Sequence, residues 1–209
     1  MTDRTYHHGD LRQTIIDAAC EHLRESGADT LSLRAIARKV GVSQTAPYRH
    51  FDSKNALFAA VAVYGFNLLE VEVGKARELY KDDVELALVE VGLAYVNWAL
   101  ANPEKYHLFY DSSLVEFEHY DDLIEAGNST FKVIISMIEQ GVREGKLIDK
   151  PFELLAGSVW TSIHGVTSLL ISKADIEVTG MDSPIVSVMA QINSDTRSIL
   201  ELHLAGLKK

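Results

Sequence analysis

Helix-start and helix-stop signals punctuate this chain from end to end, and almost nothing between them has the period of a strand. Asp10 with Gln13 makes a capping-box pattern, after which Leu11, Ile15, Ala19 and Leu23 keep one helical face until Gly27. Ser32 precedes a short second helix, LRAIARKV, closed by Gly41, and Ser43 precedes a third, QTAPYRH. Ser53 opens a fourth helix from Lys54 to about Val73, and Asp82 with Glu85 a fifth, to about Ala101. Asn102-Pro103 sets a cap and an N1 proline before PEKYHLFYDS. A long helix follows from about Asp121 to Glu144, stopped by Gly145. Pro151 opens the next, and Ser183-Pro184 the last, to about Leu204. No sustained apolar/polar alternation bounded by turn dipeptides interrupts this pattern, so the expected fold is all-α.

Charge divides the chain more sharply than its total suggests. The 209 residues carry 20 Lys and Arg against 30 Asp and Glu, net −10. Residues 1–60 hold 8 basic and 7 acidic side chains, whereas residues 61–209 hold 12 and 23. Within residues 32–54 the count is 5 to 1, a basic patch attached to an acidic body. Cys20 is the single cysteine, which excludes an intrachain disulfide and a Cys-only metal site and suits a reducing cytoplasm. The start, MTDRTYHHGDLR, has no apolar core of a secretory signal, so a cytoplasmic protein is expected.

The basic patch reads as helix, tight turn, helix. Ala37 is small and stands four residues before Gly41, which lets a second helix approach and supplies the left-handed turn residue. Ile36, Val40, Val42 and Phe51 are the expected shared core. The second helix is about two turns long and leaves Gln44, Thr45, Tyr48 and Arg49 facing outward, with Pro47 removing one early backbone bond. An ordinary helical hairpin is the bland alternative. Against it stand the hydrogen-bonding and basic outward face, the clustering of positive charge, and a second helix too short to pack well. A major groove about 12 Å wide accepts such a helix.

The same residues resemble a known family. HHGDLR followed by LSLRAIARKVGVSQTAPYRHFDSKNALFAAV, over roughly residues 8–62, is similar to the N-terminal domain of the TetR/AcrR transcriptional regulators. The resemblance implies a DNA-binding domain of three helices and a helical ligand-binding and dimerising domain. It also implies repression relieved by a small molecule. It places Gln44, Thr45, Ala46 and Arg49 where base edges are read, and Tyr48 and His50 where phosphates are gripped. Lys54, Ser32 and Arg34 fall at helix starts near backbone phosphates.

The body carries a 19-residue run without Asp, Glu, Lys or Arg, residues 154–172. That is near the length of a bilayer span. Seven of its residues are Ser, Thr or His and no aromatic or basic belt flanks it, so a covered helix of a protein without a membrane partner is expected. Trp160, His164 and Gly165 resemble the W-x-x-x-H-G signature of one C-terminal domain type in the same family. At about 100° per residue the run has three stripes. Leu155, Val159, Ile163, Val166 and Leu170 are aliphatic and suit the subunit's own core. Gly157, Thr161, Gly165, Ser168 and Ser172 are small and suit a second helix, plausibly from another subunit. Trp160, His164, Thr167 and Ile171 form the third, which faces either a cavity or the core. Ile185, Val188, Ile192, Ile199 and Leu202 give the last helix a matching seam, so a four-helix homodimer interface is expected.

Aromatic residues crowd the middle of the chain. Tyr95, Trp98, Tyr106, Phe109, Tyr110 and Phe131, with Trp160 and His164, are the candidate walls of a pocket for a planar or amphipathic effector, with core filling as the alternative. Glu116, Glu118, His119, Asp121 and Asp122 have no metal-site spacing and read as a solvated acidic face. His7-His8 reads as an arm. No phosphate loop, nucleophile elbow or HExxH occurs, so neither catalytic residues, a cofactor nor a metal is expected. Three functions remain: a ligand-responsive dimeric regulator bound to a double-stranded DNA operator, a small-molecule-binding enzyme, or a DNA-bound structural protein without ligand. The basic patch favours the first. The expected division is a helix-turn-helix domain over residues 1–53 and a ligand-binding, dimerising bundle over residues 54–209.

Overall fold

The computed structural model describes residues 11–111, 113–173 and 184–209. Among these the regular structure is helical: α1 (Leu11–Ser26), α2 (Leu33–Val40), α3 (Lys54–Leu79), α4 (Val84–Ala101), α5 (Pro103–Tyr110), α6 (Asp121–Arg143), α7 (Phe152–Lys173), α8 (Pro184–Ser194) and α9 (Thr196–Ala205). Short 3-10 turns occur at Pro47–Arg49 and Phe117–His119. Extended pairing among the described residues is confined to one bridge between Leu147 and Lys208.

Helix starts follow the local acceptors. Ser32 Oγ accepts the Ala35 N–H at 3.1 Å to start α2, and Ser53 Oγ accepts the Ala56 N–H at 3.0 Å to start α3. Gly41 closes α2 at φ +79°, where a side chain would be strained, and its N–H reaches the carbonyls of Ala37 and Arg38. Three boundaries differ from expectation. The cap of α4 is Asp83, not Asp82, since its carboxylate accepts the Leu86 N–H at 3.2 Å. α3 runs on to Leu79 rather than ending near Val73, because the lone Gly74 is followed by the good helix formers KAREL. The last helix is two: Asp195 interrupts it by offering its carboxylate to the Ser198 N–H at 3.1 Å. Asp10, Ser183 and the His7-His8 pair lie outside the described residues.

The chain packs as two compact units, Met1–Gly65 with Pro103–Glu125, and Phe66–Asn102 with Ala126–Lys209. The expected functional boundary at residues 53/54 falls at the start of α3, and the packing boundary falls inside α3.

In the first unit α1 packs on α2 and on α5. Ile15, Ile16, Ala19, Leu23, Ile36 and Phe58 are buried. So are two charged residues of α5, Glu104 and Lys105. Lys105 Nζ lies 2.8 Å from Glu104 Oε1, and Arg24 of α1 reaches the same oxygen at 3.3 Å. Glu104 Oε2 is buried with no hydrogen-bond partner among the described residues. Gly65 leaves room for α5, since a Cβ there would stand 3.0 Å from the Phe109 ring.

In the second unit α7 packs on α4 and α9. All five members of its aliphatic stripe, Leu155, Val159, Ile163, Val166 and Leu170, are buried, each stabilising by about 1.5–3 kcal/mol. A cavity of about 20 Å³ remains among Leu88, Val159, Ile163, Leu200 and Leu204. α3, α4 and α7 are long and apolar enough to span a bilayer by length and composition alone. α4 and α7 bury much of that surface against each other.

Candidate nucleic-acid interface

The helix-turn-helix rests on a small buried base. Ile36, Ala37, Pro47 and Phe51 are buried, and the Val42 N–H bonds the Ala37 carbonyl at 3.0 Å. Val40 and Val42, expected beside Ile36 in that core, are only half-buried, whereas Pro47 is buried.

The expected two-turn helix over residues 44–50 does not form. The segment is a chain of tight turns: the Ala46 N–H bonds the Ser43 carbonyl at 3.0 Å, Arg49 bonds Ala46 at 3.2 Å, and His50 bonds Pro47 at 3.0 Å. The cause is local. An α-helix here would return the N–H of residue 47 to the Ser43 carbonyl, and Pro47 has none. Ser43 Oγ does not cap; it lies 3.3 Å from Thr45 Oγ1. One helical bond survives, from Phe51 N–H to the Pro47 carbonyl at 3.0 Å.

The outward face is as expected. Gln44, Thr45, Tyr48, Arg49 and His50 are exposed, Tyr48 to 46%, whereas Ala46 is half-buried beneath them. The five basic side chains of the patch divide into three kinds. Arg34, Arg38 and Arg49 are exposed and have no ion pair among the described residues. Lys39 is neutralised by Glu21 and Glu25 of α1 at 3.0 and 2.8 Å. Lys54 donates to the Ala28 carbonyl at 2.7 Å and lies 5.1 Å from the Phe58 ring centre, which leaves two of its three N–H donors. Ser32 is exposed, but its hydroxyl oxygen is committed to the α2 cap. Arg12 is a residue the sequence pattern did not single out. Its guanidinium lies 5.4 Å over the Phe51 ring and ties α1 to the end of the turn segment. No local pattern connects positions 12 and 51.

The candidate pocket residues fall in both units. In the first, Tyr106 and Phe109 are buried and Tyr110 is exposed, its ring 5.0 Å from that of Tyr106. In the second, Tyr95 and Trp98 are buried. Trp160, 37% exposed, stacks on His164 at 5.6 Å and meets Phe131 edge-on at 6.2 Å. Burial pushes the His164 imidazole below its ordinary range. Cys20 is buried, and burial raises its thiol, which opposes the reactive thiolate. Among the described residues no three His, Cys, Asp or Glu side chains converge as a metal ion requires.

Residues 15–61 match the family described as bacterial regulatory proteins, tetR family, and residues 88–179 match the tetracyclin repressor-like C-terminal domain. An HTH-type transcriptional regulator of Mycobacterium tuberculosis is 33% identical over 107 residues, covering 49% of this chain and 44% of that protein. The chain thus spans less than half the length of that relative. The nucleoid occlusion factor SlmA of Pectobacterium carotovorum is 30% identical over 166 residues, 77% of this chain and 82% of that one. A solved structure of a protein of unknown function from Rhodococcus sp. RHA1 superposes with a TM-score of 0.78 at 26% identity, covering 99% of this chain and 100% of that one.

Proposed function

The chain belongs to the TetR family of bacterial regulatory proteins, and from that premise we propose that it is a cytoplasmic, dimeric, sequence-specific DNA-binding repressor released from its operator by a small molecule. The observation that carries the reading is the exposed face of residues 44–50, whose Arg49 joins Arg34 and Arg38 as three guanidiniums without an ion pair among the described residues, held on a buried base.

Gln44, Thr45, Ala46 and Arg49 approach base edges, Arg49 favouring guanine. Tyr48, His50, Ser32, Arg34 and Lys54 position the domain on phosphates. Dimerisation uses α7 with α8 and α9. Leu154, Ile185, Val188 and Leu202 are exposed there, Leu202 to 75%, and a Cβ added at Gly157 or Gly165 meets nothing within 4 Å, so a second helix can approach. Two reading segments then enter successive major grooves about 34–36 Å apart. The effector binds beside Trp160 and His164, and any ligand that favours one spacing of the two reading segments shifts DNA affinity.

The test is a salt titration of affinity for a selected operator and a scrambled duplex. Lys54→Ala should weaken both alike and flatten the salt dependence by about one charge per subunit. Gln44→Ala should keep the slope and relax preference at one base position per half-site. If both change only the slope, residues 44–50 do not read sequence. If neither changes binding, the DNA reading fails. Gly165→Glu should give monomers by sedimentation, and a wild-type chain that sediments as a monomer at micromolar concentration removes the dimer.

A further inference from the structure

We propose that the first unit carries a binding site for a small organic cation, in the groove between the end of α5 and the segment from Asp111 to Glu118 that follows it. The groove encloses about 140 Å³ and is lined by Phe109, Tyr110 and Phe117 together with Asp111, Glu116 and Glu118. Val115, buried, is its apolar floor. Phe109 and Tyr110 meet edge-to-face, ring centres 6.2 Å apart, so the two rings present different faces to the space.

The sign of the charge selects the ligand. No Lys or Arg occurs between Lys105 and Lys132, while that stretch holds six acidic residues. Two of the three groove carboxylates already have partners. Asp111 accepts from the Ser113 N–H and hydroxyl at 2.9 and 2.5 Å, contacts that hold it below its ordinary range, and Glu116 pairs with His119 at 2.6 Å. Glu118 has no hydrogen bond or ion pair among the described residues, and supplies the uncompensated charge. The lining holds three carboxylates and no Lys or Arg, which disfavours an anionic ligand. A hard metal ion would need carboxylates that converge, and no such trio exists among the described residues. Aromatic faces beside dispersed carboxylates suit a soft, weakly hydrated cation such as an alkylammonium, which gains from ring quadrupoles and from acidic charge at once. The site lies in the first unit and shares no residue with the effector site proposed beside Trp160 and His164, so it does not rest on that reading.

The probe is choline, with 3,3-dimethylbutan-1-ol as its neutral isostere, titrated into the full-length chain without DNA by ligand-observed NMR. Choline should bind saturably and about tenfold tighter than the alcohol. Glu118→Gln should weaken choline about threefold to tenfold and leave the alcohol unchanged, and Phe117→Leu should weaken choline with the helical circular dichroism intact. Equal binding of the two probes, no saturable choline binding, or a Glu118→Gln variant that binds choline like the wild type each overturns the proposal. None of these outcomes touches the DNA reading, which is measured separately.

Discussion

The two packing units are held by different physics. The first buries charge: Glu104 and Lys105 of α5 pair in its interior and Arg24 of α1 reaches the same carboxylate from the surface, while Lys39 pairs with Glu21 and Glu25 on the outside. The second is aliphatic where α4, α7 and α9 meet, with Thr167, bonded to the Ile163 carbonyl at 2.7 Å, the polar residue buried there. Directional contacts fix an angle between helices, because a displaced ion pair leaves a buried charge exposed to a low dielectric. Aliphatic contacts fix a volume and tolerate sliding. α1 and α5 are thus the directionally locked helices of the first unit.

The largest break in this contrast is Glu104→Ala. It removes the carboxylate that pairs with the buried Lys105 ammonium and should cost about 3 kcal/mol in chemical denaturation. The double change Glu104→Leu with Lys105→Met should recover most of that loss, since it removes both charges together. Next, Ile163→Ala in the aliphatic seam should cost about 3 kcal/mol, enlarging a cavity that is already present. No single second change of charge should rescue it.

Acid should separate the units in order. Burial holds His164 and His203 below the ordinary imidazole value, with the Ser158 contact opposing this in part at His203. Their contribution is full above pH 6.5 and is lost as pH falls below it. Burial works to raise Glu104, but the Lys105 hydrogen bond and the charges of Lys105 and Arg24 outweigh it, so Glu104 is lowered. Its contribution is full above pH 4.5 and is lost only as pH falls further. Fluorescence of Trp98 and Trp160, both in the second unit, should therefore respond to acid before amide exchange in α1 and α5 does. Glu104→Gln should alter only the later phase. The smallest effect is Ser32→Ala, about 1 kcal/mol from the lost cap of α2, read in the same denaturation experiment.

Much of this was legible in the sequence because it is local. Caps at Ser32 and Ser53, the turn at Gly41 and the buried face of α7 each follow from residues within a few positions of one another. The exposed set Gln44, Thr45, Tyr48 and Arg49 was legible for the same reason, and His50 came only from the family resemblance. What escaped was non-local or a contest between close competitors. Arg12 over Phe51 and Arg24 on Glu104 join positions far apart in the chain. Asp82 and Asp83 are adjacent rivals for one cap, and the side chain that reached Leu86 won. Pro47 was expected to remove one early backbone bond of a helix, and the segment around it is instead a run of tight turns.

That segment has an evolutionary consequence. Gln44, Thr45, Tyr48, Arg49 and His50 contribute exposed side chains, while Ile36, Ala37, Pro47 and Phe51 beneath them hold the backbone. Among the described residues the side chains of Gln44, Thr45 and Arg49 make no hydrogen bond or ring contact with the inner set, whereas the His50 ring lies 6.5 Å from that of Phe51, so under the proposed DNA reading a lineage can drift to new operators through changes at 44, 45 and 49 while remaining folded. Recognition and foldability are in this sense separate inheritances, carried by neighbouring residues of one short stretch. A library randomised at positions 44, 45 and 49 should accordingly be rich in folded members, each a candidate reader of a different half-site.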